Sequence, residues 1–242
     1  MRLTERMSRL GTETAFEVLG AAKALEAQGR DIVHLEIGEP DFKTPDNIVR
    51  AAVKALEGGY HGYCPAAGIA DLKEAICEEI ARTRGLDDQP EQVVVTPGGK
   101  PIIFFAILAL AQAGDEVIYP NPGFPIYESM INFVGARPVP VPLREEIDFR
   151  IDIDYLLSQI TPRTRMIILN SPANPTGGIV TRQELKALAE GLANTDIVVF
   201  SDEIYSRVLY EGQHFSPAQM PGLREQTLLM DGFSKTYDLA TV

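Results

Sequence analysis

The sequence has two cysteines in 242 residues, few basic residues and no long hydrophobic run. Cys64 and Cys77 are too few for a disulfide framework, and neither belongs to a CxxC pair, so a reduced, cytoplasmic protein is expected. Lys and Arg number 22 against 34 Asp and Glu, giving a net charge of −12. Nucleic acid and anionic membranes bind basic faces, so neither is expected as a partner. The longest apolar stretch, "IIFFAILALA", has about half the roughly twenty residues that a bilayer-spanning helix needs, and reads as a buried helix. The polar start "MRLTERMSRLGTE" has no apolar core of a secretory leader. Repeats, low-complexity tracts and linkers are also missing. With 45% hydrophobic and 23% charged residues, the composition is that of a globular chain with a sizeable core.

What is present is an alternation. Short runs rich in β-branched residues occur at 31–37, 91–96, 115–120, 137–142, 165–170, 196–201 and 226–231. Amphipathic stretches lie between them at 46–57, 68–83, 98–112 and 181–193, and a helix over 11–28 precedes the first run. "TRQE" at 181–184 is a capping box opening one of these helices. The pattern predicts an α/β fold with a mainly parallel sheet covered on both faces.

In such sheets ligands bind beyond the carboxyl ends of the strands. The residues following the apolar runs there are Pro97-Gly98-Gly99-Lys100, Asn170-Ser171-Pro172-Ala173-Asn174-Pro175-Thr176-Gly177, Ser201-Asp202-Glu203-Ile204-Tyr205, and Asp231-Gly232-Phe233-Ser234-Lys235. Paired glycines opening a helix let backbone N–H groups face an anion. The spacing matches neither G-x-x-x-x-G-K-[ST] nor G-x-G-x-x-G, which removes the main support for ATP or a dinucleotide and leaves a smaller phosphate ligand open. A lysine at an apolar strand end can be desolvated enough to attack a carbonyl. A carboxylate there can keep a pyridinium nitrogen protonated, which makes pyridoxal phosphate an electron sink. Taken singly, each group has a plainer account: a strand-to-helix turn, a surface lysine, a helix N-cap, simple Asn-Pro turn chemistry. Together they form a convergent set.

"NSPANPTGGIV", "SDEIYSRVLYEG" and "GFSKTY", in this order and spacing, resemble the class I/II, fold-type-I pyridoxal-phosphate aminotransferases. Upstream, "LEIGEPDFKTPDNI", "GYHGYCPAAGIADLKEAI" and "VVVTPGGKPIIFFAILALAQAGDEVIYPNPGFPIYESMI" resemble the same family, so the likeness runs from about residue 30 to Tyr237.

The resemblance implies that Lys235 forms a Schiff base with pyridoxal 5'-phosphate and then moves a proton. It implies that Asp202 pairs with the pyridine nitrogen, and that Tyr205 and Asn174 contact the phenolic oxygen. Asn174 and Gly38 line the substrate carboxylate site, Phe124 stacks on the ring, and the backbone of Gly99 and Lys100 cradles the phosphate. Tyr63 matches a tyrosine that reaches the phosphate of the neighbouring subunit, which implies a homodimer. Core packing is the plainer role for Phe124 and Tyr63.

By the same likeness, residues 1–30 form a helical arm belonging to the family's small domain, and 31–242 an incomplete large domain. The family continues past its "SKTY" motif with a phosphate-binding arginine, eight residues after the lysine, and then a C-terminal small domain bearing a substrate-binding arginine. Neither falls within 1–242, and Gly232 stands where many members have a phosphate-binding serine. A chain of this extent is therefore expected to be an impaired amino acid:2-oxo acid aminotransferase. A lyase on the same scaffold, or a non-catalytic remnant, is the alternative. A DNA-binding regulator is not expected, because residues 1–30 are too short for a helix-turn-helix.

Overall fold

A computed structural model of the chain describes residues 2–11 and 14–239. Residues 12–13 of the expected first helix and 240–242 of the expected large domain lie outside the described residues.

Among the described residues five strands form one parallel sheet: β1 (Glu116–Asn121), β2 (Arg137–Pro142), β3 (Thr164–Asn170), β4 (Val198–Asp202) and β5 (Thr227–Met230), in the order β2-β1-β3-β4-β5. Among the described residues seven α-helices surround or precede it: α1 (Thr14–Glu26), α2 (Asp46–Glu57), α3 (Ala70–Arg84), α4 (Gly99–Leu110), α5 (Ile126–Val134), α6 (Ile153–Ser158) and α7 (Arg182–Gly191). Among the described residues no helix is long and apolar enough to cross a membrane.

Period-two alternation sorts the strand side chains onto two faces. Met166 and Ile168 of β3 join Val117, Tyr119 and Phe200 in one cluster, packed under Ile103 and Ile107 of α4 and Tyr127 and Ile131 of α5. Ile167 and Leu169 join Ile118, Val141 and Val199 in the other, under Leu156 of α6 and Leu185 and Leu188 of α7. Central strands covered on both faces read as continuous apolar runs, as "MIIL" does. Burial of each such side chain contributes roughly 1.5–3 kcal/mol. The capping box at α7 forms as expected: the Thr181 hydroxyl accepts from the Glu184 N–H, and the Glu184 carboxylate accepts from the Thr181 N–H.

Two expected strands do not form. Residues 31–37 and 91–96 lie outside the sheet. An extended run becomes a strand only where a neighbour takes up its N–H and C=O groups, and no strand lies beside either run among the described residues. Val33, Leu35 and Val94 are correspondingly more than half exposed. The 31–37 run is held by side chains instead, with His34 bonded to Glu26 and Glu36.

The sheet order reverses direction between β1 and β3, since the chain runs from β1 outward to β2 and returns to continue on the other side. Such a reversal opens a crevice at the carboxyl ends of the two central strands.

Candidate active site

At that crevice the chain leaving β1 carries Phe124 into α5. The chain leaving β3 carries Asn174, β4 ends on Asp202, and β5 leads to Lys235. Register sets these ends side by side, with Asn170 paired to Asp202 and Asp202 to Met230.

Asp202 is 3% exposed. Tyr127 Oη donates to its Oδ2 at 2.5 Å, and the Ile204 N–H donates to Oδ1 at 3.2 Å. Burial pushes its pKa up to about 6, against the lowering effect of those two donors, with the charges of Asp231 and Glu203 adding to the rise. The group is therefore an anion at neutral pH with a strong demand for a cation. Burial, then the Asp202 charge, raise the Tyr127 phenol well above its ordinary value, and the same two causes raise Tyr205. Both remain hydroxyl donors over the physiological range.

The Asn174 backbone N–H donates to the Asn170 side-chain carbonyl at 2.7 Å, while the Asn170 amide donates to the Asp202 carbonyl at 3.2 Å. Asn174 is thus tied to the end of β4 through Asn170. Phe124 is half-buried and meets the Tyr127 ring edge-on, with centroids 5.8 Å apart. Lys235 lies in the turn at 234–236, half-buried, and its ammonium makes no hydrogen bond or ion pair among the described residues.

The glycine turn lies against this end of the sheet. Gly98 caps α4 at φ 90°, a conformation suited to glycine, and α4 opens at Gly99. A Cβ at Gly99 would stand 2.5 Å from Cε of Met230, the last residue of β5. The first N–H groups of this 12-residue helix are therefore presented beside the β5 end. Lys100 is exposed, its ammonium 5.5 Å from the Phe16 ring centroid.

Gly38 and Tyr63 lie apart from these contacts. Gly38 is exposed with nothing within 4 Å of a built Cβ, and the Tyr63 ring stands fully in solvent at 111% relative exposure.

Sequence reasoning missed four residues. Tyr127 stands three positions after Phe124, and i, i+3 spacing on a helix start was the available signal. Asn170 and Glu203 stand at strand ends in the sequence, but their pairings, like that of Arg84, gave no signal because the partners come from distant segments.

The family described as aminotransferase class I and II matches residues 30–241, and the chain belongs to it. Among its relatives, the aspartate aminotransferase of Geobacillus stearothermophilus is 40% identical over 241 residues, covering 99% of this chain and 61% of that protein. The aspartate/prephenate aminotransferase of Cereibacter sphaeroides is 42% identical over 238 residues, covering 97% of this chain and 60% of that protein. The solved aspartate aminotransferase of Thermus thermophilus with maleate superposes with a TM-score of 0.93 at 40% identity, covering 98% of this chain and 62% of that one. The chain thus spans about three fifths of the length of these relatives.

Proposed function

We propose that this chain carries the cofactor site of a pyridoxal-phosphate-dependent aminotransferase, which moves an amino group from an amino acid to a 2-oxo acid. The observation that supports this most is the buried Asp202 at the centre of the crevice, a carboxylate that burial leaves in need of a cation. The names of the relatives make aspartate the first amino donor to test. A lyase reading draws no support from them.

The residues present fit pyridoxal phosphate. Asp202 matches its pyridine nitrogen and the α4 N-terminus its phosphate, and Gly99 lets α4 open close against Met230, where a Cβ would collide with the Met230 methyl group. When bound, the cofactor supplies an aldehyde that condenses with amines, releasing water, and a ring that takes up an electron pair from the amino acid α-carbon.

Asp202 would hold a proton on the pyridine nitrogen. Tyr127 and the Ile204 N–H each occupy one lone pair of that carboxylate and fix its orientation. Tyr205 and the Asn174 side chain would donate to the phenolic oxygen, and Phe124 would pack against the ring. With the cofactor held there, Lys235 Nζ would be the group that accepts the substrate α-proton and gives it back. Gly38 and Asn174 receive the substrate carboxylate. In this reading residues 1–30 form an arm, residues 31–242 the cofactor-binding domain, and Tyr63 serves the second subunit of a cytoplasmic homodimer.

The test is the absorbance spectrum of the purified chain with added pyridoxal phosphate, then borohydride reduction and peptide mapping. A reduced adduct on Lys235, lost in Lys235→Ala, is the expected result. An adduct scattered over exposed lysines would overturn the reading.

A further inference from the structure

Three carboxylates meet where β4 and β5 end. Asp202 and Glu203 are adjacent at the end of β4, and Asp231 directly follows β5, four residues before Lys235. One guanidinium lies among them, from the far end of α3. Arg84 is 6% exposed; its Nε donates to Glu203 Oε2 at 2.7 Å and its Nη2 to Asp231 Oδ2 at 2.6 Å. The Gln219 side chain donates to the Arg84 carbonyl at 2.8 Å, which pins the backbone behind it.

Glu203 is fully buried and saturated. Besides Arg84 it receives the Ser201 hydroxyl at 2.8 Å and the Ser216 hydroxyl at 2.6 Å, and His214 Nε2 lies 2.8 Å away. Asp231 also accepts from the Gly232 N–H at 2.7 Å. Asp202, by contrast, has a phenol and a backbone N–H but no cation among the described residues.

We propose that Arg84 is a positioning residue for the cofactor site: by pairing with Glu203 and Asp231 it leaves Asp202 as the one carboxylate of the three open to a bound pyridinium, and it ties the segment bearing Asp202 to the segment bearing Lys235. This rests on reading the site as one for pyridoxal phosphate.

The geometry supports both halves. A planar guanidinium with two arms occupied fixes two carboxylates relative to each other, which an ammonium cannot do equally well. The two carboxylates belong to the segments that must keep the acid and the amine in register, and the Glu203 N–H also donates to the Met230 carbonyl at 2.9 Å. Electrostatically, Glu203 and Asp231 both disfavour charge on Asp202, and a cation paired to both of them works in the opposite sense. Burial works against that cation, but its two carboxylates outweigh the penalty and hold it charged. The groups facing Asp202 are then Tyr127 from α5, Tyr205 from the following turn, Glu203 beside it and Asp231 from the β5 end. Arg84 and His214 act on it through Glu203, and Arg84 also through Asp231.

The experiment titrates the Asp202 carboxyl by ¹³C NMR in the cofactor-free 242-residue chain, with the resonance assigned from its absence in Asp202→Asn. In Arg84→Met the Asp202 midpoint should move up. In Arg84→Lys, which keeps the charge and loses the fork, it should stay near its starting value while pyridoxal phosphate binds roughly tenfold more weakly, the equivalent of one lost hydrogen bond. Should Arg84→Met fail to fold, Asp231→Asn keeps the buried Arg84–Glu203 pair and should move the midpoint down. An unmoved Asp202 midpoint in a folded Arg84→Met chain, or in Asp231→Asn, overturns the proposal. Binding of pyridoxal phosphate to Arg84→Lys as tight as to the parent overturns its tethering half. If the parent chain forms no Lys235 adduct yet the midpoints move as stated, the cofactor reading fails and the electrostatic role of Arg84 stands.

Discussion

Tyr127 and Asp202, 75 residues apart in sequence, meet in a 2.5 Å hydrogen bond between the first turn of α5 and the end of β4, with the tyrosine wholly buried. The bond stabilises the ionised carboxylate and so holds the Asp202 pKa below where burial alone would put it. Tyr127→Phe should therefore raise that pKa further. The acid limb of pyridoxal phosphate binding should shift to higher pH, read as absorbance change against pH. Stability above pH 6 should fall by about 1–3 kcal/mol, the usual cost of leaving a buried acceptor short of a donor.

Asp202 itself should trade stability for function. Its pKa in the folded chain, about 6, lies above the ordinary 3.8. The folded state thus binds that proton more tightly, and stability is lost as pH rises through this window. At roughly 1.4 kcal/mol per pH unit the loss is about 3 kcal/mol at neutral pH. Asp202→Asn should make the cofactor-free chain more resistant to urea at pH 7–8, with the gain shrinking towards pH 4. The same variant should bind pyridoxal phosphate more weakly. A urea midpoint that changes equally at pH 4 and pH 8 would argue against this account.

Gly123 shapes the turn that delivers Phe124. A Cβ at Gly123 would collide with the Pro120 carbonyl oxygen, and backbone cannot step aside as a flexible side chain does. Gly123→Ala should displace Phe124 and the Tyr127 ring it packs against. Weaker cofactor binding is expected, together with about 1–3 kcal/mol of lost stability, measured by pyridoxal phosphate titration and urea unfolding.

Glu116 closes the opposite end of the sheet. It is 1% exposed and accepts from the Thr161 hydroxyl at 2.6 Å, Arg163 at 2.7 Å and Arg137 at 3.1 Å. The Thr161 bond, ahead of Arg163 and Arg137, outweighs burial and lowers its pKa, so its contribution is present at neutral pH and fades as pH falls through the acid range. The arginines are mostly exposed and screened, so Glu116→Gln should cost only about 1–2 kcal/mol at pH 7. Cofactor binding at the far end should be unaffected, which a paired unfolding and binding measurement checks.

The sequence was legible where local chemistry decides the outcome. The α7 capping box and the glycine opening of α4 form from neighbouring residues alone. The runs that became β1 to β5 are recognisable because double burial demands continuous apolar side chains. The runs at 31–37 and 91–96 have the same composition but depend on a partner strand that local sequence cannot report.

The site divides along the same line. Lys235, Asp202, Asn174 and Gly99 are visible in the sequence because each follows an apolar run or a turn motif, and the order of those motifs resembles one family. Tyr127 on Asp202, Asn170 between β3 and β4, and Arg84 bridging Glu203 and Asp231 arise only when the chain is folded. Their partners are separated by 32 to 147 residues, and no local preference encodes such pairings. The sequence by itself determined which chemical groups stand at the strand ends. Only tertiary structure decided which carboxylate is already paired with an arginine and which remains open, because charge pairing in a buried site depends on distance and desolvation rather than on order along the chain.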